Sequence, residues 1–373
     1  MKKIHTKFLF FIFILISIYS FSFENFIEEW RYENRNINDN KIVASLMAKD
    51  TYIFFENVEQ TQNMNIITFS KEGKKIKEVK LNDFLLINVE KKENGYVLFG
   101  KYNFEGKNYA SIYLLNNELN IIKKNYYFID GYTPIKMLYK ENNIVVFCDK
   151  YDGKNSIFKE IIYDEMLNEK STFENIEKGF IKINDVDTYN DTFYITGWKD
   201  NTDSKLDMYI SVRTIENKVL WTKTFGGKSD DKGYKIKIYD NSIIIGGTNE
   251  SYNEKNNKDI WILRLSNEGN IIWSKLYDSG FLDEINDIKI KDQKIYITGY
   301  SITTKNDEDS YILKLNLKGE KDYLDLSNFL GTDIGNSLII DDKKLILSGF
   351  FVSSKNSEET TGIDSLIILL NRK

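Results

Sequence analysis

A repeat limits what this chain can become more than any other feature. Four apolar runs share one form, YITG at 194–197, IIGG at 244–247, YITG at 296–299 and ILSG at 346–349, and their final glycines stand 50, 52 and 50 residues apart. Extended backwards, the series continues through VVFC at 145–148, VLFG at 97–100 and IFFE at 53–56, at intervals of 49, 48 and 44 residues. A fixed period of this size marks supersecondary units that cannot bury an apolar face alone and must stack on their neighbours. Seven units span the chain.

Each unit reads as four short strands. An apolar or aromatic residue stands eleven positions before the anchor in six units, at Val89, Met137, Val186, Ile236, Ile288 and Leu338, with Ser45 as the exception. The anchor run is apolar on both sides, as a strand with two covered faces must be. A third strand opens at Asp207, Asp259, Asp309 and Asp364, and polar turns such as 266–269 and 316–319 lead into a fourth. Four short strands in each unit of 40 to 50 residues predict an all-β, seven-bladed β-propeller with four-stranded antiparallel blades.

The fourth strand predicts how the ring closes. Trp221, Trp273 and Tyr323 each lie 26 residues before the next anchor, and Trp30 lies 26 before Glu56. The segment 26–32 is therefore a fourth strand with no partners ahead of it, while the last unit stops after its third. The N-terminal strand is expected to complete the last blade and cover the strand edges left open there.

With GNIIW at 269–273, which is similar to the Gly-x-x-x-Trp turn and strand of quinoprotein-type repeats, the chain resembles the bacterial secreted β-propeller repeat proteins. The resemblance is carried by residues 180–373 and implies a blade scaffold. It implies no cofactor.

The first 22 residues read as an export signal. Lys2, Lys3 and Lys7 precede an apolar core at 8–18, and Ser20 and Ser22 supply the small residues a signal peptidase requires. The apolar run falls short of the roughly 18 to 20 residues of a spanning helix. Residues 23–373 are expected to form a single propeller domain, periplasmic or extracellular, not inserted in a membrane, and monomeric. Removing the signal leaves 48 basic against 56 acidic residues, a net −8, which argues against nucleic acid as a partner. Cys148 is the one cysteine, so no intrachain disulfide forms and packing must supply the stability.

Alternating strand direction sorts the links onto two faces. Those at 199–206, 249–258, 301–308 and 353–362 are long and share one face, where binding groups are expected to collect. Asp231, Asp283 and Asp333 recur on that face, each 16 residues before its anchor. Two readings are open: an acidic ring at the channel mouth that meets a cation or a sugar, or carboxylates that take backbone N–H groups at a turn. Recurrence at a fixed place favours the turn. Trp198 and Tyr300, one past their anchors, are the aromatic candidates for ligand contact. Trp221 and Trp273 suit packing between blades.

His5, the one histidine, lies in the signal segment, so the mature chain has no Ser-His-Asp or Cys-His arrangement and no imidazole metal site. Gly226-Gly227 precedes a loop rather than the helix that a phosphate loop opens, so it is not read as one. The expected role is a non-catalytic binding module that presents a loop-rich face to a protein or glycan, with no cofactor and no metal. A glycoside hydrolase or lyase working through two facing carboxylates is one alternative. An envelope assembly scaffold is the other.

Overall fold

The computed structural model describes residues 23–34, 39–129, 131–201, 203, 205–252, 257–304, 307–327, 331–342, 344–352 and 362–372. The segment read as a signal peptide, 1–22, lies outside the described residues. Twenty-eight strands, β1 to β28 in chain order, form seven four-stranded antiparallel sheets. The seven-bladed propeller expected from the period is the fold. Six blades use four consecutive strands each. The seventh is composite, joining β26 (Asp333–Asp341), β27 (Lys344–Val352) and β28 (Ile363–Arg372) to β1 (Phe26–Asn34).

Closure is carried by pairing that runs from Phe26 opposite Arg372 to Asn34 opposite Ser365. Asn25 adds a second tie, its backbone N–H and its side-chain amide donating to the two oxygens of Asp325 at 2.8 and 2.6 Å. Phe26 meets the ring of Tyr323 edge-on at 5.3 Å.

Every innermost strand slips by one residue beside its anchor, at Val43, Ile87, Ile135, Asn184, Tyr234, Asn286 and Asn336. Such a bulge bends the strand and re-aims the extra side chain. It also explains the anchor glycines. A β-carbon at Gly197, Gly247, Gly299 or Gly349 would stand 1.8 to 2.0 Å from a carbonyl oxygen of the bulged strand. Three of the extra residues are asparagines that donate to the next blade: Asn184 to Gly233 O at 2.6 Å, Asn286 to Gly335 O at 3.0 Å and Asn336 to Ile42 O at 2.8 Å. In the fifth blade Tyr234 stands in that place.

The core lies between blades. Met208, Ile210 and Val212 of blade four pack on Ile243, Ile245, Trp261 and Leu263 of blade five, and the other boundaries repeat the arrangement with other residues. Each such side chain contributes about 1.5–3 kcal/mol by leaving water. One expectation fails here. The stretch 301–308 is mostly strand, because β23 (Lys294–Thr304) and β24 (Asp307–Asn316) run on and pair through Ile302 and Glu308. The acidic residues at 307–309 mimic a loop composition while sitting in a ladder. Most of 353–362 lies outside the described residues.

Candidate functional site

The three recurring aspartates are fully buried. Asp231 accepts hydrogen bonds from Gly227 N at 2.9 Å, Glu250 N at 3.1 Å and Ser251 Oγ at 2.6 Å, drawing the entry of blade five onto its own loop. Asp283 accepts from Ser279 N and Oγ. Asp333 accepts from Ser310 N at 2.9 Å and Ser327 Oγ at 2.7 Å, joining blade seven to blade six. Burial raises all three carboxyls above the ordinary aspartate range, Asp333 to about 7. None of them lines the channel. Asp259, Asp278 and Asp283 bring carboxylate oxygens within 4.8 Å of one another, an all-oxygen set of the type hard cations take.

The two aromatic candidates converge on one cluster. Trp198 meets Tyr234 edge-on at 5.9 Å, and the Lys232 ammonium lies 5.5 Å from the centre of its ring. The Tyr234 hydroxyl donates to Glu284 Oε1 at 3.3 Å, and Lys258 pairs with the same carboxylate at 2.5 Å. Tyr300 stands beside the same carboxylate; burial, followed by that carboxylate, raises its hydroxyl well above the ordinary tyrosine range. Lys258 lies 5.8 Å from the centre of the Tyr234 ring. Blades four, five and six thus place three aromatic rings, one carboxylate and two ammoniums together on the loop-rich face. Tyr234 reaches the cluster because it is the bulged residue of its strand.

Sequence reasoning missed Tyr234, Glu284 and Lys258. The signal for Tyr234 was present: thirteen residues before the anchor, blades four, six and seven carry asparagine and blade five carries tyrosine.

The central channel is charged in alternation. The residues just after the bulges in blades three to six are Lys136, Asp185, Lys235 and Asp287, around a cavity of about 200 Å³. Lys136 pairs with Asp185 at 2.5 Å, and Asp185 also accepts the Ile236 N–H at 3.0 Å. Burial lowers the Lys235 ammonium below the ordinary lysine range. Opposite charges on neighbouring blades make this ring a fastener between blades.

No protein-family model and no curated protein matches the chain. Solved structures do. The WD40 β-propeller domain of Doa1 superposes with a TM-score of 0.54 at 12% identity, over 93% of this chain and 97% of that one. The CNH domain of AfRom2 gives 0.50 at 10% identity, over 91% and 98%. At these identities the likeness is one of fold.

Among the described residues no helix is long and apolar enough to cross a membrane.

Proposed function

We propose that the chain is a non-catalytic binding module, exported to the periplasm or the exterior, that holds its partner against Trp198, Tyr234, Glu284 and Tyr300. The observation that carries this reading is the Glu284 carboxylate, shared by Tyr234, Tyr300 and Lys258 beside the ring of Trp198. A glycan is favoured over a protein surface. The C–H faces of a sugar stack on aromatic rings, and its hydroxyls exchange hydrogen bonds with a carboxylate and an ammonium held at fixed positions. Kinship with bacterial secreted propeller repeat proteins belongs to the same proposal, as does a single domain at 23–373. A glycan array probed with the 23–373 chain tests it. Retained glycans are expected to be lost, by roughly tenfold or more in affinity, in Tyr234→Ala and Trp198→Ala. A blank array, or equal retention by both variants, counts against the reading.

A second reading rests on Glu308. Burial, with Glu284 nearby, raises its carboxyl above the ordinary glutamate range. Two neighbouring carboxyl groups, one of them raised by burial, are the pairing that glycoside cleavage uses. Release of reducing ends from a retained glycan, abolished by Glu308→Gln, would establish hydrolysis; an intact glycan after prolonged incubation would dismiss it.

A further inference from the structure

The boundary between blades two and three differs from its counterpart between blades four and five at two matched positions. There, Met208 and Trp261 fill the space between sheets, and the indole N–H of Trp261 donates to Ser274 Oγ at 2.8 Å. Strand register places Ala110 opposite Lys101 as Met208 is opposite Trp198, and Lys159 opposite Cys148 as Trp261 is opposite Gly247. A methyl group and a lysine stem thus replace a thioether and an indole. The volume they leave is a cavity of about 680 Å³, the size of sites that take small organic ligands.

Its lining is specific. Tyr127, Phe128, Tyr132 and Tyr163 supply aromatic walls, and Ile112 and Val146 an apolar floor. Tyr127 spends its hydroxyl on Leu167 O at 3.1 Å, and Tyr132 spends its own on Glu174 at 2.9 Å. Tyr163 is different: only 2% exposed, it lines the cavity, and among the described residues its hydroxyl has no hydrogen-bond partner. Tyr163 lines the cleft and can offer that hydroxyl to a ligand oxygen. The Lys150 and Lys159 ammoniums lie 5.5 and 5.0 Å from the centre of the Tyr132 ring, and Lys159 pairs with Glu174 at 3.2 Å. With Glu169 and Glu174 facing two lysines, the lining carries no net charge and does not select an ion.

We infer that this cleft binds a small planar aromatic molecule carrying one hydroxyl or carbonyl oxygen, which meets the Tyr163 hydroxyl. The site is separate from the cluster on blades four to six, and it stands whether or not that cluster binds a glycan. Burial pushes the Cys148 thiol up to about 12, so the thiol stays protonated and the binding is non-covalent.

Naphthol titrated into the full chain, followed by its own fluorescence, tests the proposal, with decahydronaphthol, naphthalene and methyl glucoside as comparison probes. Saturable naphthol binding is expected, about tenfold tighter than decahydronaphthol. Tyr163→Phe should weaken naphthol about three- to tenfold and leave naphthalene unchanged. The pair Ala110→Met and Lys159→Trp, which copies the fillers of blades four and five, should abolish binding while circular dichroism retains the sheet signal. If that pair fails to fold, Ala110→Met alone should still weaken naphthol. Absence of saturable binding, equal affinity for decahydronaphthol, preference for the glucoside, or naphthol binding untouched by Ala110→Met would each overturn the inference.

Discussion

The indole of Trp221 lies over Gly269 in the turn of the next blade, 2.8 Å from where a β-carbon on that glycine would stand, and its N–H donates to Asn267 O at 3.1 Å. Trp273 over Gly319 and Trp30 over Gly73 repeat the close approach, at 3.1 and 2.6 Å from the β-carbon position, and the Trp273 N–H donates to Leu317 O at 2.9 Å. Where register puts Lys77, Lys123 and Ser171 in the tryptophan's place, the facing turn carries buried Leu119, Leu167 and Asn217 instead of glycine. All six turn residues have positive φ, from 58° to 84°. The boundary is therefore filled in one of two ways, by an indole over a bare backbone or by a turn side chain under a smaller residue.

Gly269→Ala is expected to destabilise the propeller by about 1–2 kcal/mol, through its left-handed backbone and through pressure on the indole. Placed in a Trp221→Lys background the same change should cost less, a coupling of about 1 kcal/mol in a double-mutant cycle measured by denaturant unfolding. Strictly additive costs would deny the wedge.

Removing residues 23–33 strips most of β1 from β28 and withdraws the ring of Phe26 from Tyr323. The melting temperature of the 23–373 chain should fall by on the order of 10 °C. A truncated chain that melts with the full one would refute closure by the N-terminal strand.

Asp333 makes stability depend on pH in an unusual direction. Burial raises its carboxyl from an ordinary 3.8 to about 7. The folded state thus holds the proton more tightly than the unfolded one, so this contribution is complete below about pH 4 and is lost as pH rises through 7. Asp333→Asn should flatten that dependence, its melting temperature gaining on the wild type between about pH 4 and pH 8. A constant difference across that range would contradict the assignment.

Asp185 works the other way. Burial alone would raise it, but Lys136, Lys235 and Lys237 hold it down to about 2, so its contribution is present above about pH 4 and lost as pH falls toward 2. Lys136→Met breaks its closest pair and should cost about 3 kcal/mol at neutral pH, read from urea unfolding. A neutral substitution would show that the alternating ring does not fasten the blades.

How legible these features were depended on whether they recur. Gly197, Gly247, Gly299 and Gly349 announced the blades because one steric need, a bulged carbonyl 1.8 to 2.0 Å from any β-carbon, returns in each. Trp30 announced the closure because the wedge also returns. Blades one to three were fainter, since Lys77, Lys123 and Ser171 fill the same boundary by the other route. The candidate site was legible in part. Trp198 and Tyr300 stood out as aromatics beside anchors, whereas Glu284 and Lys258 meet only once the fold brings blades five and six together. The cleft beside Ala110 and Lys159 was invisible, because a missing side chain is noticed only when strand register shows which residue should fill it.

On the proposed function, a glycan docks on blades four to six around Glu284. Hydrogen exchange of the 23–373 chain, with and without a glycan selected on the array, tests it most directly. Slowed exchange is expected, confined to the strand ends carrying Trp198, Tyr234, Glu284 and Tyr300. Protection confined to blades one to three, or none at saturating glycan, would contradict it.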